Sequence, residues 1–168
     1  TATDTAQITA KNLTISGAAA MDKVYDGTIA AGVDFGGASL VGVIGSDKVS
    51  IDTSGGSAAF NNKQVGSDKP VTVTGIALSG TDAANYTVSQ PVGLTADITR
   101  LAITGSFTAA DKVYDGTTAA AVTGRKLIGV LAGDTVSLSG GTAAFSDKNA
   151  GTGKTVTLSG ASLTGTDA

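Results

Sequence analysis

The residues best placed to do chemistry form one heptapeptide that occurs twice, Asp22-Lys23-Val24-Tyr25-Asp26-Gly27-Thr28 and Asp111-Lys112-Val113-Tyr114-Asp115-Gly116-Thr117. Each copy offers an ammonium, a phenol and two carboxylates within seven positions, the raw material for proton transfer or cation binding. The rest of the catalytic repertoire is missing. The chain has no His, Cys or Trp, and a count finds no Glu, the 14 acidic residues all being Asp. Imidazole bases, thiolate nucleophiles and nearly all zinc sites are thereby excluded. The composition argues against an enzyme, so no catalytic, cofactor-binding or metal-ligating residue is assigned. A structural reading of the heptapeptide fits better. Lys23 and Lys112 precede their Tyr by two positions, which places both side chains on one strand face. The lysine is then expected to lie over the ring or to pair with an Asp. Tyr25 and Tyr114 are expected to supply large buried rings, and Asp26-Gly27 and Asp115-Gly116 to form tight turns with Gly at positive φ.

Three other patterns carry a chemical suggestion. Gly151-Thr152-Gly153-Lys154-Thr155 looks like the end of a phosphate-binding loop. Lys148 stands where the leading Gly belongs, so a hairpin turn entering a strand is expected instead. Asp26, Asp47, Asp82, Asp115, Asp134 and Asp167 all fall among turn formers. Calcium could use such residues, but no Asp-x-Asp-x-Asp-Gly pattern occurs, and turn capping is the simpler expectation. A Lys–Asn crosslink would suit a cysteine-free module, with Lys23 or Lys63 and Asn85 as the residues to test.

The elements that must position these residues read as strands. Gly (24) and Thr (25 by count) are abundant, while charged residues make up 15% and aromatics 4%. Val71-Thr72-Val73-Thr74 and Thr155-Val156-Thr157-Leu158 alternate with period two, as do the stretches following Asp47 and Asp134. Gly-Gly, Ser-Gly and Asp-Gly pairs punctuate them. A short helix near Thr117–Val122, where Ala is dense, is the one helical option. The net charge of -3 carries no basic footprint for nucleic acid, and no apolar run reaches membrane-spanning length.

The heptapeptides lie 89 residues apart. Gly42-Val43 and Gly129-Val130 lie 87 apart, and Ala58-Ala59-Phe60 and Ala143-Ala144-Phe145 lie 85 apart. Gly80-Thr81-Asp82-Ala83 recurs as Gly165-Thr166-Asp167-Ala168, again at 85. The shrinking offset places small deletions in loops between conserved elements of a module of about 85–90 residues. The expected fold is therefore all-β, with two tandem small antiparallel sandwich-like modules. The first module spans residues 11–99 and the second 100–168, the latter lacking its closing strand. Thr5-Ala6-Gln7-Ile8-Thr9 resembles Thr95-Ala96-Asp97-Ile98-Thr99, so residues 1–10 read as the tail strand of a preceding repeat or as a donor strand. The start at Thr1, with no Met or leader, suggests a mature product or an excised piece.

Lys-Val-Tyr-Asp-Gly-Thr, the Gly-Val stretches and Leu-Ser-Gly-Thr-Asp-Ala-Ala-Asn-Tyr-Thr closing on Ala-Asp-Ile-Thr resemble the YDG-type repeat of filamentous-haemagglutinin-like bacterial surface proteins. The resemblance implies an exported, Gram-negative cell-surface component whose tandem modules form a stalk serving adhesion and biofilm. It carries over no catalytic residues. The first expected function is accordingly a structural spacer in an extracellular fibre or adhesin. With strand running into strand near Thr99–Leu101, the pair is expected to be semi-rigid. A second expectation is a filament subunit that polymerises head-to-tail, residues 1–10 of one copy complementing the next. A third is a glycan- or receptor-binding module, although exposed aromatics for a sugar platform are few. Partners are neighbouring repeats, copies of the chain, or a surface receptor; nucleic acid and membrane insertion are not expected.

Overall fold

The computed structural model describes residues 2–168, which divide into a unit ending at Leu101 and a unit from Ala102 to Ala168. Each is described by itself. The all-β expectation holds: among the described residues one three-residue 3-10 turn, Ala83–Asn85, interrupts a succession of strands and turns. Among the described residues no helix is long and apolar enough to cross a membrane.

The first unit contains β1 (Lys11–Ser16), β2 (Ala19–Met21), β3 (Lys23–Val24), β4 (Gly32–Asp34), β5 (Ser39–Val41), β6 (Ser50–Asp52) and β7 (Ser57–Phe60). After them come β8 (Gly66–Thr74), β9 (Ala77–Ser79), β10 (Tyr86–Ser89) and β11 (Leu94–Thr99). One sheet runs β10-β1-β5 and a second β3-β11-β8-β7, with β2-β4 and β6-β9 as two-stranded additions. The alternation of Val71-Thr72-Val73-Thr74 is realised on β8, where Val71 and Val73 are buried and the threonines face solvent. Phe60, Val71, Ala96 and Ile98 form the core cluster, with Tyr25, Val33 and Leu94 packed against it. Ala96, Ile98 and Leu94 all come from β11.

Two ladders depart from an antiparallel scheme: β1 runs parallel to β10, and β3 parallel to β11. Parallel partners need a long crossover. The body of the module supplies one, because the first strands pair with the last. β11 thus sits between β3 on one side and β8, antiparallel, on the other. Its register slips between Ala96 and Ile98. Side chains secure the irregularity: the Asp97 N–H donates to Asp22 Oδ1 at 2.7 Å, and Asp97 Oδ1 accepts the Asp68 N–H at 2.8 Å.

The second unit contains β12 (Thr104–Ala109), β13 (Ala119–Ala120), β14 (Val122–Ile128), β15 (Ser137–Phe145) and β16 (Val156–Thr164). β12 pairs with β14, and β13-β15-β16 form the other sheet. The helical option near Thr117–Val122 is replaced by strand, because Ala119 and Ala120 pair with Ala144 and Ala143. β14 and β15 run unbroken where the first unit has β4 then β5, and β6 then β7. Both steps in the repeat offset fall at these two interruptions, residues 35–38 and 53–56, so the deletions convert a broken strand into a continuous one.

No described residue of the second unit stands where β10 and β11 stand in the first. The consequences are local. Lys112–Val113 and residues 151–155 are not strand, whereas Lys23–Val24 and Gly66–Pro70 are. Among the described residues of this unit Ala143 alone is buried, and Phe145 is half-buried where Phe60 is 2% exposed.

Ile98→Ala should remove a side chain that is 1% exposed at the centre of the first unit and cost about 2–5 kcal/mol. Ile128→Ala, on an exposed position of β14, should cost less than about 1 kcal/mol. Hydrogen exchange of the β8 and β11 amides under increasing denaturant reads the first effect, and the β14 amides the second.

Candidate functional site

The lysine, aspartate and threonine of the heptapeptide bond to one another in the same way in both units. Lys23 emerges from β3, and its Nζ donates to Asp26 Oδ1 at 2.8 Å, to the Thr28 carbonyl at 2.9 Å and to the Ala30 carbonyl at 2.9 Å. Three ammonium protons therefore meet three good acceptors. The chain between them is bent so that Asp26 Oδ1 also accepts the Thr28 N–H and hydroxyl, both at 2.9 Å. In the second unit Lys112 Nζ donates to Asp115 Oδ1 at 2.8 Å and to the Thr117 carbonyl at 2.9 Å, and Asp115 Oδ1 accepts the same two Thr117 groups. Gly27 and Gly116 take φ of 78° and 76° between these bonds, as the Asp-Gly turn requires.

The lysine-stapled loop differs from the sequence expectation in what the lysine covers. Lys23 Nζ lies 5.5 Å from the Phe60 ring centre and Lys112 Nζ 5.7 Å from that of Phe145, while Lys63 lies over Tyr25. β3 is only two residues long, so same-face spacing does not persist as far as Tyr25. Tyr25 packs at the core edge and its N–H donates to the Thr99 carbonyl of β11 at 2.8 Å. Tyr114, expected as a buried ring, is 60% exposed because nothing described covers it. Thr5, Ala6, Gln7, Ile8 and Thr9 lie outside any strand, and Ile8 is wholly exposed.

The lysine holds the aspartate's charge in place. The Lys23 ammonium and the Thr28 donors hold the Asp26 carboxyl down at about 2, from an ordinary value of 3.8, and Lys112 and Thr117 do the same for Asp115. The other turn aspartates act as caps. Asp34 and Asp52 each accept the N–H two residues on, and Asp82 and Asp167 tie Lys48 and Thr135 across the module. Gly80 and Gly165 permit that tie, since a Cβ at either would come within 2.1 Å of the Lys48 or Thr135 carbonyl oxygen. Among the described residues no three acidic side chains gather into a group that could hold a metal ion.

Two features escaped the sequence reading. Lys69, buried on β8, donates to Asn62 Oδ1 at 2.7 Å, and its repeat counterpart Lys154 pairs with Asp147 and donates to the Asn149 carbonyl at 2.7 Å. The lysine of Gly-Thr-Gly-Lys-Thr is thus turned inward on its own loop. The sequence signal was available: Asn62 and Asp147, like Lys69 and Lys154, are 85 apart. The other is Tyr86, buried on β10, whose hydroxyl donates to Asp47 Oδ2 at 2.6 Å and accepts the Ile44 N–H at 3.1 Å. The bond to Asp47 raises the Tyr86 phenol above its ordinary 10. The second unit has no such tyrosine among its described residues. That unit has an open groove of about 460 Å³ lined by Leu127, Val130, Val136 and Leu138 together with Arg125 and Lys126.

Both repeats, with this loop in each, match one family. The sequence model of the YDG domain covers residues 9–93 and again 99–168. The chain belongs to the YDG domain family. Its two YDG copies account for nearly all of its length, so the lysine-stapled loop, present in both, is a feature of the domain here and not of one module. No curated protein and no solved structure matches the chain.

The folded chain keeps Asp26 and Asp115 ionised down to about pH 2, whereas an unfolded aspartate protonates near 3.8. Their stabilisation is complete above about pH 4 and is lost as pH falls from there toward 2. Thermal melting between pH 7 and 2 should show a fall in Tm confined to that acid window, and an Asp26→Asn, Asp115→Asn double variant should show a shallower one. Tyr86→Phe should cost about 1–3 kcal/mol in urea unfolding of the first unit, by stranding the Asp47 carboxylate and the Ile44 N–H.

Proposed function

We propose that the chain is a structural spacer of an exported bacterial surface fibre or adhesin, its tandem YDG domains holding a binding element away from the cell. The observation that carries this reading is the inward use of its chemistry. The heptapeptide's ammonium and its Asp26 or Asp115 carboxylate are engaged with one another and with backbone in both units. In a site that acts on a ligand such groups are free to meet it; here the ammonium is largely covered and, with its half-exposed aspartate, closes a loop. Repetition supports the same reading, because a spacer gains length by adding copies, whereas a binding function needs one good site. Freedom from cysteine and histidine makes the module indifferent to redox state and to acidification down to the range in which its aspartates titrate.

A glycan- or receptor-binding role has less support. Sugar platforms use exposed aromatic faces, and among the described residues Tyr114 is the one aromatic that is an exposed large hydrophobic.

Antibodies raised against the 168-residue chain should label intact cells of its source, and protease added outside the cells should remove that label. Labelling that requires permeabilised cells would overturn the proposal.

A further inference from the structure

We propose that the β7–β8 turn of the first unit closes on a covalent crosslink, an amide formed between Lys69 Nζ and Asn62 Cγ with loss of ammonia. The strand register brings the two residues together. Phe60 stands opposite Val71, and the Asn61 N–H donates to the Pro70 carbonyl at 3.3 Å, so Asn62 and Lys69 are the next facing pair. Lys69 Nζ then donates to Asn62 Oδ1 at 2.7 Å. With a C=O bond of about 1.2 Å, that contact leaves Nζ no more than about 4 Å from Cγ, close to the separation of about 3–3.5 Å from which bonds form.

The surroundings of the pair favour the reaction. Lys69 is 8% exposed, the one charged residue buried among the described residues. A buried charge ordinarily meets an opposite charge, and this one meets a neutral carboxamide. Amide formation removes the charge from the interior. Asn62 Oδ1 also accepts the Gln64 N–H at 3.1 Å. A backbone donor there polarises the carbonyl and steadies the oxyanion that forms when an amine adds to Cγ. Asn62 itself is exposed, so the departing nitrogen passes directly to water. The lysines that sequence alone offered for such a bond are turned elsewhere: Lys23 Nζ to Asp26 and its own loop, and Lys63 over the Tyr25 ring.

The step balances within the pair. Two protons pass from the Lys69 ammonium to Asn62 Nδ2, the Nζ–Cγ bond forms, the Cγ–Nδ2 bond breaks, and the nitrogen leaves as an ammonium ion. Nothing is oxidised or reduced. The repeat supplies an internal contrast. Lys154 faces Asp147 and, by donating to it, holds that carboxyl below its ordinary range. An ionised carboxylate resists attack by an amine, so the crosslink belongs to the first unit. It ties β7 to β8 across a turn that carries Lys63, and a protease cut in that turn leaves the module in one piece. This inference holds whether or not the chain is a surface component.

Mass spectrometry of the purified, denatured 168-residue chain tests it. Nearly every molecule should weigh less than its sequence by one ammonia. Trypsin cuts after Lys63 and so parts Asn62 from Lys69 unless the amide joins them. The two peptides that carry these residues should stay joined. Lys69→Arg keeps the charge and should restore the full mass, as should Asn62→Ala. The junction mapped in the unaltered chain locates the bond whatever the stability of the variants. An unaltered chain of full mass overturns the proposal. So does a mass deficit that survives Lys69→Arg, or tryptic peptides of residues 62 and 69 that come apart.

Discussion

Ile98 is the point on which the YDG module turns. It lies on the last strand of the first unit, reaches the centre of the core, and is flanked by the module's third strand on one side and its eighth on the other. Full burial of one such side chain contributes about 1.5–3 kcal/mol, and in a core with so few aromatics there is little to replace it. β11 also satisfies two rows of backbone groups at once. Without it, β3 has no partner and the leading half of β8 has none either. The second unit, in which no described residue stands at either β10 or β11, is consistent with this: Phe145 and Val156 lie on continuous strands and still fail to become buried.

Around that strand, small polar devices stand in for bulk. The lysine staple at Lys23 gathers a loop of eight residues through three bonds, Asp26 pins the loop's own backbone, and Lys69 with Asn62 repeats the device on the neighbouring turn. Such bonds add modest net stability one by one. Their larger effect is to set conformation, since each fixes a turn that would otherwise sample many states. Glycine at Gly80 and Gly165 lets two strands' ends approach closely enough for an aspartate to tie them. A chain without disulfides or large rings can therefore hold a defined shape.

Much of this was legible in the amino-acid order. Period-two alternation marks Val71–Thr74 because its two faces meet different surroundings, and repetition marks the module because both copies keep their turns. Strand direction was not legible: alternation is the same whichever way the neighbour runs, so the parallel ladders of β1 with β10 and β3 with β11 leave no trace in either segment alone. Of the two partners expected for the lysine, it takes the aspartate and not the tyrosine ring, for a related reason. Same-face spacing assumes a strand that continues, and β3 stops at Val24. The Tyr86–Asp47 bond joins residues 39 positions apart with no local pattern to announce it. Tyr114 repeats the sequence surroundings of Tyr25 and is nonetheless 60% exposed, a difference that no local pattern announces.

The pairing of first strands with last has a consequence for the order in which the module forms. A ribosome releases β3 long before β11, and the two meet across some seventy-five residues. Loop closure over that span must precede the contacts that reward it, which makes folding slow compared with a module of local hairpins. Until β11 emerges, β3 and the leading half of β8 lack the strand that pairs with them in the folded first module. The long hairpin of β15 and β16 is the part of the second unit able to form early, since its nine-residue partners are neighbours in the chain. In the first module, then, the residues that begin the chain's core wait on those that finish it.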